Sequence, residues 1–231
     1  MHVKGGVFLR VVGIDEAVSA VDDNSSVMIG GFLGCGSPDN IIQGIVERKT
    51  RGLTVIANDT SFPDRGVGKL IVGKCAAKVI VSHIGTNPET QRQMIEGELE
   101  VELVPQGTLA ERIRAGGVGL GGILTPTGVG TVVQEGKRII AIDGKDYLME
   151  LPLRAEFALV KAKKADYFGN LVFSLTARNF NPLIVLACNT VIVEVEEIVP
   201  VGSLSPDEIH IPGVLVDYVS VGSVVRWTQK N

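Results

Sequence analysis

Gly30, Gly31, Gly34 and Gly36 stand between an apolar run, Val27–Ile29, and a helical pattern that opens near Ser37 and Pro38. Glycine has no Cβ, so such a loop leaves backbone N–H groups open, and a helix start adds a positive pole. The chemistry this permits is binding of an anion or an oxyanion; the alternative is a plain tight turn from strand to helix. Cys35 lies within the loop, beside a helix start of the kind that favours thiolates. No histidine or other base is placed beside it by sequence. His2, His83 and His210 lack metal-ligand spacing and read as structural or incidental. Glu98, Glu100 and Glu102 alternate along a strand edge, which puts them on one face, the solvated one; Glu194, Glu196 and Glu197 form a second group. The chain has no phosphate-binding P-loop, no nucleophile elbow and no paired-cysteine motif. A formal GxGxxG at Gly117, Gly119 and Gly122 follows a helix and opens none, so the stretch Gly116–Gly130 is expected to be a mobile loop near a site. The residues thus describe a site rich in backbone donors and poor in reactive side chains, one that binds something or completes a site whose reactive group lies elsewhere.

The elements that would position this loop follow from periodicity. A strand over Val7–Val12 and a helix over Ile14–Val21 precede the strand Val27–Ile29. Ser37 is expected as the N-cap and Pro38 as the first residue of a helix carrying Ile41, Ile42, Ile45 and Val46, stopped at Gly52. The strand Leu53–Ala57 leads into a polar loop with Pro63, Gly66 and Gly68. The order then repeats: strand Lys78–Val81, a helix from Asn87 and Pro88 with Met94 and Ile95 on its apolar side, strand Val101–Val104, and a helix opened by a Thr108/Glu111 capping box. This alternation predicts a parallel sheet covered on both faces, with ligands at the carboxyl ends of its strands. The loops at Gly30, Asn58 and Gln106 all lie at such ends. The second half reads as more mixed or antiparallel. Hairpins are expected about Asp143–Gly144 and Gly169–Asn170, then a helix from Asn181 and Pro182 through Leu186 and strands over Val191–Val195 and Val214–Val219. No linker separates the halves, so residues 1–231 are expected to form one domain with two lobes.

The totals agree. With 231 residues the chain can bury roughly 70 to 75% of its unfolded surface. Hydrophobic residues make up 45% and charged ones 21%, and the net charge is −4, which gives no footprint for nucleic acid and no case for disorder. Apolar runs fall short of a membrane span. Asp15 and Glu16 interrupt the N-terminal apolar patch, so no signal peptide is expected. The three cysteines Cys35, Cys75 and Cys188 support neither a disulfide framework nor a zinc site. A soluble protein of a reducing cytoplasm is the expectation.

Asp23, Asn24, Val27–Ile29, Gly30, Gly31, Phe32, Gly36 and Pro38 together resemble, without a gap, the signature of the family I coenzyme A transferases. Further matches are VIANDT at Val55–Thr60, SHIGTNPET at Ser82–Thr90, VPQGTLAERIRAGG at Val104–Gly117, LTPTGVGT at Leu124–Thr131 and ARNFNPL at Ala177–Leu183. The chain is most similar to α subunits of the short-chain acetate or acetoacetate type. The resemblance implies an open α/β sheet like that of ribose-phosphate isomerases, a β-chain partner, commonly in an α2β2 assembly, and coenzyme A and acyl-CoA as substrates with no cofactor or metal. It places the catalytic glutamate on the β chain in a Ser-Glu-Asn-Gly motif, which this chain lacks.

The implied reaction is acyl exchange through covalent intermediates on that glutamate. By the same resemblance Gly30, Gly31, Phe32, Leu33, Gly34, Cys35 and Gly36 contact coenzyme A, and Gln106 stabilises the oxyanion. Asn58 is a site wall, and Cys35 has no assigned chemistry. Two other readings stay open: a sensor of coenzyme A or a sugar phosphate built on the same fold, and a self-contained acyltransferase using Cys35.

Overall fold

A computed structural model describes residues 10–222. Residues 7–9 of the expected first strand, and His2, lie outside that range. The chain runs β1 (Arg10–Val11), α1 (Ile14–Ser19), β2 (Ser26–Ile29), α2 (Asp39–Arg48), β3 (Leu53–Ala57), α3 (Val67–Val72), β4 (Ala76–Val81), α4 (Pro88–Ile95) and β5 (Glu100–Leu103). It continues with α5 (Gln106–Val118), β6 (Ile123–Thr125), β7 (Arg138–Ile142), β8 (Lys145–Glu150), β9 (Ala155–Asp166), β10 (Leu171–Val172), α6 (Asn181–Ile184), β11 (Cys188–Val199) and β12 (Tyr218–Val221).

The main sheet has the order β1-β12-β11-β9-β2-β3-β4-β5, all parallel, with β10 antiparallel to β9. Its strands are almost continuously apolar because both faces are covered. Met28, Ile56, Ile80, Val160 and Val193 pack with Leu109 and Ile113 of α5 and Ile184 of α6. Val27, Ile29, Val55, Val79 and Val81 pack on the other face with Val18 of α1, Ile41 and Ile45 of α2 and Leu70 of α3. The expected open, largely parallel sheet is therefore present. The antiparallel share of the second half is narrower than the sequence suggested: it is the small sheet β6-β8-β7 together with β10, while β9, β11 and β12 extend the parallel sheet. Apart from β1, which lies at the far edge beside β12, the first half adds strands to one side of β2 and the second half adds them to the other. The strand order reverses between β2 and β9, where an open parallel sheet leaves a crevice for ligand.

Local expectations differ in instructive ways. Pro38, not Ser37, occupies the N-cap of α2, with no side-chain cap of its own. The cap comes from β11 instead. Glu194 alternates with Val193 and Val195, is 1% exposed, and points at the first turn of α2. Its carboxylate accepts from the amide of Asn40 at 2.8 Å, the amide of Ile41 at 3.1 Å and the Asn40 side chain at 2.8 Å. Lys161 of β9 neutralises it at 2.9 Å. Helix α2 ends at Lys49 in the left-handed region (φ 60°), while Gly52 belongs to the next strand's entry. The loop containing Pro63 and Gly66 holds an extra helix, α3.

Asn87 caps α4 as expected, accepting from the amides of Glu89 and Thr90. That cap fixes a phase in which Thr90 and Gln93 face inward and Met94 and Ile95 outward, Ile95 being 79% exposed. Gln93 is satisfied there by donating to the Ile71 carbonyl at 2.9 Å. Helix α5 starts at Gln106, not at a Thr108 capping box; Thr108 is buried and Glu111 pairs with Arg114. The glycine-rich stretch is interrupted: Gly116–Val118 ends α5 and Ile123–Thr125 forms β6, with shorter turns between and after them, so it is not one loop. Asp143 and Gly144, both at positive φ, make the expected tight hairpin turn. The last strand is Tyr218–Val221, because Gly213–Leu215 forms a 3-10 turn. Glu100 and Glu102 lie on the edge strand β5 and pair with Lys78, a solvated arrangement as expected.

Glu194→Ala should cost about 3 kcal/mol, because it removes the acceptor for two helix amides and the ion-pair partner of Lys161 at once; the urea midpoint of unfolding reads this. His210 gives a pH dependence. Its Nδ1 accepts from the Phe173 amide at 3.2 Å, which needs the unprotonated ring. Burial first, then nearby Arg178, hold its pKa below the ordinary 6.5. The unfolded chain therefore takes up the proton more readily, so this stability is present above about pH 6.5 and is lost as pH falls through the folded pKa. The melting temperature should drop from pH 7 to pH 5, and His210→Gln, which keeps an acceptor but cannot titrate, should flatten part of that drop.

Candidate active site

The glycine loop sits at the carboxyl end of β2, beside the strand-order reversal. It is folded on itself. Phe32 and Cys35 exchange backbone hydrogen bonds of 3.0 and 2.8 Å across Leu33 (φ 48°) and Gly34 (φ 85°), a tight turn with both central residues left-handed. The expected open cradle of amides is thus mostly closed. The Gly30 amide donates to the Leu159 carbonyl at 3.0 Å, that of Gly31 to Asn179 Oδ1 at 3.0 Å and that of Leu33 to Asp59 Oδ2 at 3.0 Å. Only the amides of Gly34 and Gly36 lack an acceptor among the described residues. Glycine is demanded chiefly by close approach: a Cβ on Gly30 would lie 1.9 Å from Asn181 Oδ1, and one on Gly36 2.9 Å from the Ala177 Cα.

The neighbour that requires this closeness is the segment before and within α6. Asn179 accepts from the Gly31 amide and donates to the carbonyls of Cys35 at 2.9 Å and Thr176 at 2.8 Å. Asn181, fully buried, donates to the carbonyls of Gly36 and Ala177, each at 2.8 Å, and accepts from the Lys161 amide at 2.9 Å. The two asparagines staple the glycine loop to β9 and α6. Residue-by-residue reading singled out neither for the site; two asparagines flanking Phe180 ahead of Pro182 were the available signal.

Asn58 and Gln106, expected at neighbouring strand ends, do meet. Gln106 Nε2 donates to Asn58 Oδ1 at 2.6 Å, and Asn58 Nδ2 donates to Asp59 Oδ2 at 2.7 Å. Asn58 is 1% exposed, whereas Gln106, the first residue of α5, is exposed to solvent. Two cavities of about 420 and 400 Å³ open on either side of the pair, sharing Phe32, Asn58 and Gln106 as walls. Asp59 and His83 line the first, and Arg114, Asn179 and Leu183 the second. His83, read from sequence as structural or incidental, thus lines a cavity wall, while His210, read the same way, makes a structural hydrogen bond to the Phe173 amide. Phe32 is 46% exposed and offers its ring to both cavities.

A larger cleft of about 960 Å³ lies on the Cys35 side of the loop and is lined by Lys69, Lys161 and Glu194, among others. Cys35 itself is exposed, with its Sγ 3.3 Å from Thr176 Oγ1 and no imidazole or carboxylate bonded to it among the described residues. Burial pushes the Cys75 thiol up and that of Cys188 up to about 12, so neither is a thiolate near neutrality. The reactive inventory is correspondingly short. Among the described residues, Asp59 is the one carboxylate on the two cavities that Gln106 lines, and three N–H donors occupy it.

Among known proteins, the description of the coenzyme A transferase family matches residues 11–222. The acetate CoA-transferase subunit alpha of Escherichia coli K12 is 53% identical over 92% of this chain and 96% of its own length. The acetoacetyl-CoA:acetate/butyrate CoA transferase alpha subunit of Clostridium acetobutylicum is 47% identical over 91% and 96%. In three dimensions the chain resembles an acyl-CoA transferase from Escherichia coli O157:H7, solved as a thioester complex with coenzyme A. The TM-score is 0.84 at 23% identity, over 95% of this chain and 49% of that enzyme, so the chain spans about half of it. At that identity the likeness speaks for the fold. With the family match running over nearly every described residue and relatives matched over 96% of their lengths, this chain belongs to the coenzyme A transferase family.

Proposed function

We propose that the chain is the α subunit of a short-chain acyl-CoA:carboxylate CoA-transferase of the acetate, acetoacetate or butyrate type, paired with a β subunit in an α2β2 assembly in the cytoplasm. The observation that carries this reading is the composition of the site. It has fixed amide dipoles at the carboxyl ends of β2, β3 and β5, and its one carboxylate beside Gln106 is held by three donors and so is unsuited to attack. A site of this kind can orient and stabilise, but its nucleophile must come from another chain. The relatives named as alpha subunits support the division of labour.

In the proposed reaction the partner's glutamate attacks the thioester carbonyl. Collapse of the tetrahedral oxyanion expels coenzyme A thiolate and leaves a mixed anhydride. The thiolate then attacks the glutamyl carbonyl, releases the donor acid and leaves a glutamyl-CoA thioester, and the acceptor acid reverses both steps. Each addition develops negative charge on one oxygen, so a donor aimed at that point contributes to the rate. Gln106 supplies it: its Nε2 carries two hydrogens, one committed to Asn58 and one remaining. The segment Gly30–Gly36 gives shape and the free amides of Gly34 and Gly36 to coenzyme A, with Phe32 as an apolar wall and Asn58 behind Gln106.

The purified chain should show no transferase activity alone and gain it when assembled with the β subunit; robust turnover by the isolated chain would overturn the division of labour. In the assembled enzyme, Gln106→Ala should lower kcat by roughly 10 to 1,000-fold, as deletion of oxyanion donors does elsewhere. Steady-state kinetics with acetate and acetoacetyl-CoA reads this, and an unchanged kcat would remove Gln106 from the role.

A further inference from the structure

Asp59 is a carboxylate only 4% exposed at the end of β3, and the proposed reaction does not use it as a nucleophile. It accepts from the Leu33 amide at 3.0 Å, the Ser61 amide at 2.7 Å and Asn58 Nδ2 at 2.7 Å. A carboxylate in this setting offers only acceptors, so the end of the Asn58 side chain that meets Oδ2 has to be its NH2 group. The planar amide then turns its carbonyl oxygen to the other side, where the terminal amide of Gln106 stands 2.6 Å away. A carbonyl there pairs only with an NH2 group. The polarity of Asp59 is passed through Asn58 to Gln106, which must present nitrogen, with its second N–H still available. The backbone beneath the relay is anchored as well, since the main-chain carbonyl of Asn58 accepts from the Ser82 amide at 2.9 Å and the Ser82 hydroxyl at 2.6 Å.

The alternative state shows why this matters. The two ends of a glutamine amide have nearly the same shape, so rotation by half a turn meets little steric resistance. It would place the carbonyl of Gln106 where the NH2 now stands, and a carbonyl repels a developing oxyanion. We propose that Asp59, acting through Asn58, is a positioning residue that holds Gln106 in its donor orientation. Through Leu33 the same carboxylate ties the glycine turn to the relay, so the two parts of the site are set by one group. The proposal rests on the reading of Gln106 as the oxyanion donor.

The test is a double-mutant cycle in the chain assembled with its partner subunit, following kcat and the KM for acyl-CoA. The variants are Gln106→Ala, Asp59→Asn, Asn58→Ala, and each of the last two combined with Gln106→Ala. Asp59→Asn and Asn58→Ala should each lower kcat by roughly 10-fold or more while KM stays within about threefold. Either change should cost less than about twofold further once Gln106 is absent, because groups acting through one another are not additive. Multiplicative losses in the double variants, or an unchanged kcat in the single ones, would overturn the relay. If Gln106→Ala alone leaves kcat unchanged, it is the reading of Gln106 that fails. Asn58→Ala keeps the bonds from Asp59 to Leu33 and Ser61, so it reads the relay even where Asp59→Asn does not fold.

Discussion

The site depends on one constraint: a short glycine turn has to be satisfied by side chains arriving from distant parts of the chain. Asp59 reaches the Leu33 amide from 26 residues away, and Asn179 reaches the Gly31 amide from 148. An unsatisfied buried amide costs about 1–3 kcal/mol, so these bonds decide where the loop can lie. Once the loop is fixed, so is the wall that Phe32 presents to both cavities. The glycines follow from the same closeness, since Asn181 and Ala177 leave no room for a Cβ at Gly30 and Gly36. The loop is therefore less an open cradle than a clamped edge, with only a small number of amides left to meet a ligand.

The clamp exists because the sheet brings its parts together. Strands from the two halves of the chain meet at β2 and β9, and their crossovers leave in opposite directions. The reversal leaves a crevice at the carboxyl ends, and there Asn179, ahead of α6, and Asn181, its first residue, bind the glycine loop. The same juncture is braced from below by Glu194, a strand carboxylate that caps α2 and is paired with Lys161. Burying such an ion pair is expensive unless every lone pair is used. Here four donors meet one carboxylate, and the result locks β9, β11 and α2 into a single arrangement around the loop.

Much of the fold was legible in the sequence because it rests on local physics. Apolar runs of strand length gave β2, β3 and β4; Asn87–Pro88 gave the start of α4; Asp143–Gly144 gave a hairpin that only left-handed residues can close. The site was legible in outline for the same reason: strand ends were predictable, and the strand ends at Gly30, Asn58 and Gln106 do converge. The errors share a cause. Ser37 looked like a cap by type, but Pro38 holds that position and a glutamate more than 150 residues away accepts from the first-turn amides. Met94 and Ile95 looked like an apolar face, but Gln93 found a carbonyl on α3 and turned them outward.

What the sequence determined by itself was the family, through a gapless signature, and the open parallel sheet. These depend on residue type and near spacing, which the linear chain displays. Tertiary structure decided which donors remain free, which side chain caps α2, that His83 stands on a site wall, and that Asp59 faces Asn58 and Gln106 in one line. Hydrogen-bond partnership is a matter of direction and of tenths of an ångström between residues far apart in the chain, and no local pattern carries that information. The division is visible in Gln106: its type was evident from the sequence, but the end of its amide that faces outward is set by a carboxylate in the loop after β3.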